Sequence, residues 1–253
     1  MRQTVIVLLA LGLVATAFTG AHAGSLMNET FTYPDGGLVA NSGGNWTTHS
    51  GTGDILVVSN AAVGLMSNGA DDNRLLSSAR TATDKTYACF NLTIPSQTIV
   101  TNYIAHFMVN ATTFRSKVFV APSGSSFTLG LSVTANQTGT PPAPPAPPVG
   151  ATWATDLNFG QTYKVAISYD AVGGVSEMWV DPLNEASTKV TATDAAAAAG
   201  ALTAFGLRQS NTNGSAFTYT VDDLSVGTTF TDACGGPVAV EARTWGVMKT
   251  TYR

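Results

Sequence analysis

Along most of this chain apolar and polar residues take turns with a period of two. The stretch TYKVAISY places Tyr163, Val165, Ile167 and Tyr169 on one side, with Lys164 and Ser168 on the other. FTLGLSV does the same with Phe127, Leu129, Leu131 and Val133, and YACFNLTI groups Ala88, Phe90, Leu92 and Ile94 while Cys89 and Asn91 point away. Alternation over such short runs predicts half-buried β-strands. Between the runs lie the turn signals PDGG, NSGGN, SNGADDN, PSGSS, VGG and NTNG. Short strands joined by Gly-rich turns predict an all-β fold, an antiparallel sandwich of two curved sheets.

Three places break the rhythm. From Phe217 to Val221 the odd positions are apolar, but the next apolar residues, Leu224 and Val226, are even. A slip of one residue is what a β-bulge produces, so the pair Asp222–Asp223 reads as a kink whose carboxylates reach solvent or Arg208. The segment 138–150, TGTPPAPPAPPVG, cannot join a central ladder, because proline lacks the amide donor. It is expected to protrude as a surface loop of a single domain spanning 24–233. The run DAAAAAG, 194–200, is too short for more than a helical turn.

The first 23 residues combine Arg2, an apolar run from Val5 to Phe18 and the small-x-small triplet Ala21-His22-Ala23. That is the pattern of a cleaved signal peptide, and it implies a secreted or cell-surface product. No other stretch of the chain approaches membrane length. Charged residues are 11% of the sequence, with a net charge of −4. Few Lys, Glu and Arg disfavour surface helices, and the negative balance excludes nucleic acid as a partner. The tail, 234–253, carries Trp245, Met248 and Tyr252 at helical spacing, as a short amphipathic helix would.

Candidate chemistry is sparse. Asp71, Asp72 and Asn73 sit in a turn signal and form a hard-oxygen cluster able to bind Ca2+, but they lack the spaced ligand loop of an EF-hand, and a solvated turn is the preferred reading because Asp and Asn favour turns. Glu177, Asp181 and Glu185 are spaced by four, with Pro182 ending the strand between the last two. The paired carboxyls of a retaining glycosidase must stand about 5 Å apart, which this spacing does not supply. His49 and His106 are the two histidines beyond the leader. His106 alternates with Ile104 and Met108, as a packed core histidine would. Trp46 reads as core, whereas Trp153, after the Pro-rich segment, and Trp179, out of phase with Met178 and Val180, are candidate platforms for a sugar ring.

Three stretches, ETFTYPDGGLVANSGGNWTTHSG, YKVAISYDAVGGVSEMWVDPLNEASTKVTATD and FGLRQSNTNGSAFTYTVDDLSVGTTF, resemble bacterial exported modules of the concanavalin A-like (LamG-like) jelly-roll superfamily. The resemblance covers roughly residues 28–233 and implies a jelly-roll sandwich. It also implies that early and last strands are neighbours, which would bring Cys89 and Cys234 within bonding distance as a disulfide. The family includes lectins, adhesive modules and hydrolases, so the fold does not choose the function. The reading preferred here is a non-catalytic carbohydrate-binding or adhesive surface module whose partner is a glycan or other extracellular polymer. A self-associating structural subunit and a jelly-roll glycoside hydrolase are the alternatives.

Overall fold

The computed structural model describes residues 24–139, 143–210 and 216–235. The leader and the tail helix expected around Trp245 to Tyr252 lie outside these residues. The period-two segments are strands throughout. In chain order they are β1 (Ser25–Glu29), β2 (Gly36–Gly37), β3 (Trp46–Ser50), β4 (Leu56–Val58), β5 (Ala61–Leu65), β6 (Asp71–Leu75), β7 (Lys85–Thr93) and β8 (Asn102–Asn110). There follow β9 (Thr113–Ser123), β10 (Ser126–Ser132), β11 (Gly150–Thr152), β12 (Thr162–Asp170), β13 (Val175–Val180), β14 (Val190–Thr193), β15 (Ala204–Arg208) and β16 (Thr218–Gly227). Two short helices, α1 (Leu38–Asn41) and α2 (Phe230–Cys234), complete the set. The alanine run forms one 3-10 turn, Ala195–Ala197, whose first amides are capped by Asp194.

The strands make two antiparallel sheets of a jelly-roll sandwich. The first runs β14-β13-β12-β7-β16-β5-β4-β2, with β1 also on β16; the second runs β11-β10-β9-β8-β15-β6-β3. Register follows hydrophobic phase: Val165 lies opposite Phe90, and Ile167 opposite Ala88, so the inward sets of β12 and β7 stack on one face. One buried cluster takes residues from β1 to β16 and from both sides of the Pro-rich segment. Of that segment, Thr138 and Ala143 form a bridge, and Pro144 lies where any side chain on Gly130 of β10 would collide with it.

The doubled acid is a bulge, as the slip in phase predicts. Asp222 pairs with Asn91 and Ser225 with Cys89, so Asp223 and Leu224 together oppose Phe90. Asp223 takes φ 49°, while Val221 and Leu224 both reach the core. Its carboxylate does not meet Arg208, which lies in the other sheet. It accepts from Asn91 Nδ2 at 2.9 Å instead.

At the closed end of the sandwich, Glu29 of β1 is 3% exposed. Its carboxylate accepts from the Phe31 amide at 2.7 Å, Tyr33 Oη at 2.9 Å and Trp46 Nε1 at 2.8 Å, and pairs with Arg74 Nη1 at 2.5 Å. Trp46 is wholly buried here, as its place in the pattern suggests.

Candidate functional site

Alternation in the seven-stranded sheet sends one set of side chains to the core and the other to the sheet's outer face. Phe205 and Leu207 of β15 are core residues, which turns Gly206 and Arg208 outward. Asp71 of β6 lies opposite Arg208, and Gly206 lies between Asn73 of β6 and His106 of β8. Position 206 must be glycine, because a Cβ there would press into the His106 ring. On β9, Val118 and Val120 are core, leaving Lys117 and Phe119 outward, with Ser132 of β10 opposite Lys117.

His106 is packed and wholly buried, as its place in the pattern suggests, but on the opposite face of β8 from Ile104. The β8–β9 ladder shifts register between Tyr103 and Ala105 and again between Ala105 and Phe107. Ile104 and Phe107 therefore face inward while His106 between them faces out. There its ring stacks 4.2 Å from Phe114 and meets His49 and Tyr103 edge-on at 5.9 and 5.8 Å. The Tyr103 ring carries two cations, Arg208 at 3.9 Å and Lys117 at 4.9 Å.

The polar groups of this face are buried but incompletely partnered. Both ring nitrogens of His49 and of His106, Asp71 Oδ1, Asn102 Nδ2 and Ser132 Oγ are enclosed without a hydrogen bond. His49 Nε2 stands 3.9 Å from Asp71 Oδ2 and Arg208 Nε 3.8 Å from the same oxygen, both beyond hydrogen-bond length. Folded proteins seldom leave so many buried groups unsatisfied, and each costs on the order of 1–3 kcal/mol. Such a concentration marks a place where ordered water or a ligand is expected to supply the partners.

Burial governs the titration of the cluster. It holds His106 well below the ordinary imidazole range, helped by the positive groups His49, Lys117 and Arg208, and it lowers His49. It pushes the Asp71 carboxyl up to about 6, against the pull of Arg208 and Ser50. A carboxyl raised in the native state keeps a proton that the unfolded chain has released. Stability therefore falls as pH rises from about 4 towards 6, and levels off above that. Urea titrations across this range are expected to show that slope, and Asp71→Asn is expected to reduce it, the remainder coming from Asp72, whose carboxyl burial also raises to about 6; an unchanged slope in the variant would contradict the assignment.

The residues singled out in the sequence fare unequally. Asp71, Asp72 and Asn73 are not a loop cluster but consecutive positions of β6, enclosed between β3 and β15. Period two sends Asp71 and Asn73 outward and Asp72 inward, where Thr48 Oγ1 and the Ile55 amide bind its two oxygens. Asp72 thus lies on the opposite face of β6 from Asp71 and Asn73. Among the described residues no group of three or more His, Cys, Asp or Glu is placed to hold a metal ion.

Trp179 faces away from Met178 as its phase indicates, yet its ring is no platform. It is fully buried between Tyr87 and Phe230 of α2, and its Nε1 donates to the Glu185 carbonyl. The sequence does not foretell that α2 folds back over this face. Trp153 is half-buried against the main core beside Leu129. Neither ring lies among the outer-face residues around His106.

Glu177 is clamped by Lys85 and Lys189, and Glu185 by Tyr87 and Lys85. Burial pushes Glu177 up, but the two lysines outweigh it; the Tyr87 hydroxyl and Lys85 likewise hold Glu185 below the usual range. Neither carboxyl is raised in the way a glycosidase's general acid requires. Cys89 of β7 and Cys234, the last residue of α2, are unbridged and together line a cavity of about 220 Å³ with Asn91, Lys164 and Asp223. The hydrogen bond with Cys89, together with burial, pushes the Cys234 thiol up.

No family model and no curated protein matches the sequence. Among solved structures, the binding domain of botulinum neurotoxin serotype D/C superposes with a TM-score of 0.51 at 7% identity, over 83% of this chain and 50% of that one. Botulinum neurotoxin type C, which interacts with two ganglioside molecules, gives 0.51 at 8% identity, over 83% and 49%. A sialidase matches at 0.49 and 13% identity over 81% of this chain, which spans 19% of the sialidase and about half of each neurotoxin chain. At such identities the likeness shows a shared sandwich fold.

Proposed function

We propose that this protein is an exported, non-catalytic carbohydrate-binding module that holds a glycan on the outer face of its seven-stranded sheet, around His106. The observation that carries this reading is the set of enclosed, unpartnered polar atoms on His49, Asp71, Asn102, His106 and Ser132. Sugars present dense hydroxyls that both donate and accept, and imidazole, carboxylate and amide groups are their complements. The half-buried Phe114 ring and the edge of Tyr103 lie beside those groups, as in ligand sites that mix apolar walls with a few convergent polar atoms. The ganglioside-interacting neurotoxin chain uses a related fold, but fold alone does not assign function, and the assignment rests on this face. Export is supported by the leader pattern of residues 1–23.

A glycan array probed with the chain from Gly24 onward tests the reading. We expect a bound glycan whose affinity falls about tenfold or more in His106→Ala, as removal of a buried polar partner costs 1–3 kcal/mol. Absence of binding to any glycan, or a bound glycan indifferent to His106→Ala and His49→Ala, would overturn it.

A further inference from the structure

The outer face carries more positive charge than it neutralises. Lys117 and Arg208 both point into it, each over the Tyr103 ring. Asp71 is the carboxylate within their reach, and it sits against Arg208, whose other nitrogens are taken by Asn102 Oδ1 at 2.6 Å and Ser210 Oγ at 2.9 Å. Lys117 has no carboxylate partner among the described residues. Its ammonium donates to two neutral oxygens, the Thr134 carbonyl and Asn136 Oδ1, each at 2.7 Å. An ammonium has three protons, and the third has no oxygen acceptor among the described residues; the ammonium, on a residue 5% exposed, lies over the Tyr103 and Phe114 rings at 4.9 and 5.7 Å.

Enclosing a cation without a counter-ion is costly. Here the cost registers in the lysine itself: burial, with Arg208 and Arg115 adding repulsion, brings it down to about 8. The chain as a whole is acidic, with a net charge of −4, so this local excess does not follow from composition.

We infer that the glycan bound on this face is an acidic one, with a sugar carboxylate seated against the free donor of Lys117 and its hydroxyls against His49, His106 and Asn102. This rests on the glycan reading of the face and adds the ligand's chemical class. The carboxylate supplies the missing counter-charge. Arg208 and the Tyr103 ring hold Lys117 in place rather than compete for the ligand, since the guanidinium is already engaged. Neutral sugars would satisfy the imidazoles and leave the lysine unpaired.

The experiment compares oligogalacturonate, oligomannuronate, hyaluronan oligomers and sialyllactose, each beside its carboxyl methyl ester, by calorimetry on the chain from Gly24 onward. The free acid of the bound sugar is expected to bind about 10- to 100-fold more tightly than its ester, the scale of a hydrogen bond to a charged group. In Lys117→Met, acid and ester should bind equally, whereas Lys117→Arg should retain the preference. The acid–ester comparison on the unaltered protein needs no variant to fold. Equal binding of acid and ester by the unaltered protein, or a preference that survives Lys117→Met, overturns the inference. Binding confined to neutral glycans and lost in His106→Ala would overturn it while leaving the module reading intact; no binding at all would remove both.

Discussion

Treating the chain from Gly24 onward with glutathione disulfide is expected to join Cys89 to Cys234 and raise the melting temperature by roughly 5–15 °C. Cys234 closes α2 beside Cys89 of β7, and the two line one cavity. One thiolate attacks the reagent and releases a glutathione; the second displaces the other glutathione from the mixed disulfide, so two thiols become one bridge. The raised Cys234 thiol is a poor thiolate source, so the reaction should be slow near neutral pH and faster in alkali. The bridge closes about 145 residues, and loop entropy of that length stabilises by up to about 5 kcal/mol in the chain-entropy model, with measured values commonly about 2–4. It would pin α2, and with it Phe230 over Trp179, to β7. Peptide mapping without reductant should yield one linked pair. Two unmodified thiols after prolonged oxidation, or a bridged protein that melts no higher, would refute the expectation.

Replacing Glu29 by Gln should cost about 3–5 kcal/mol of unfolding free energy, the scale of breaking a buried ion pair from one side. Four donors converge on this carboxylate, and an amide offers one acceptor oxygen where the carboxylate offers two. Arg74 would lose its partner with 23% of its side chain exposed, and Trp46 Nε1 would be left enclosed in the core. Adding Arg74→Met to Glu29→Gln should recover part of the loss, because no uncompensated charge then remains. Denaturant titrations of the two variants decide this. A loss below about 1 kcal/mol for Glu29→Gln would show that the cluster is not a keystone of the closed end.

The sequence by itself determined β7, β10, β12 and β16, with their inward faces and the bulge. These depend on one physical fact, that side chains alternate along a strand, so the phase of apolar residues states which face is buried. Phe217, Tyr219, Val221, then Leu224 and Val226, record the bulge without reference to any other strand. Tertiary structure decided everything that needs two distant strands. Asp71–Asn73 read as a turn because Asp and Asn favour turns, and only pairing with β3 and β15 made them a strand. Trp179 read as free because the strand pattern shows that it leaves the core, but not that α2, some fifty residues later, closes over it. The face around His106 was the least legible. Its members come from β3, β6, β8, β9, β10 and β15, and His106 reaches it through register shifts set by the partner strand. Periodicity fixes which way a side chain points from its own strand; which side chains it then meets is fixed by sheet order and register, which no single segment encodes.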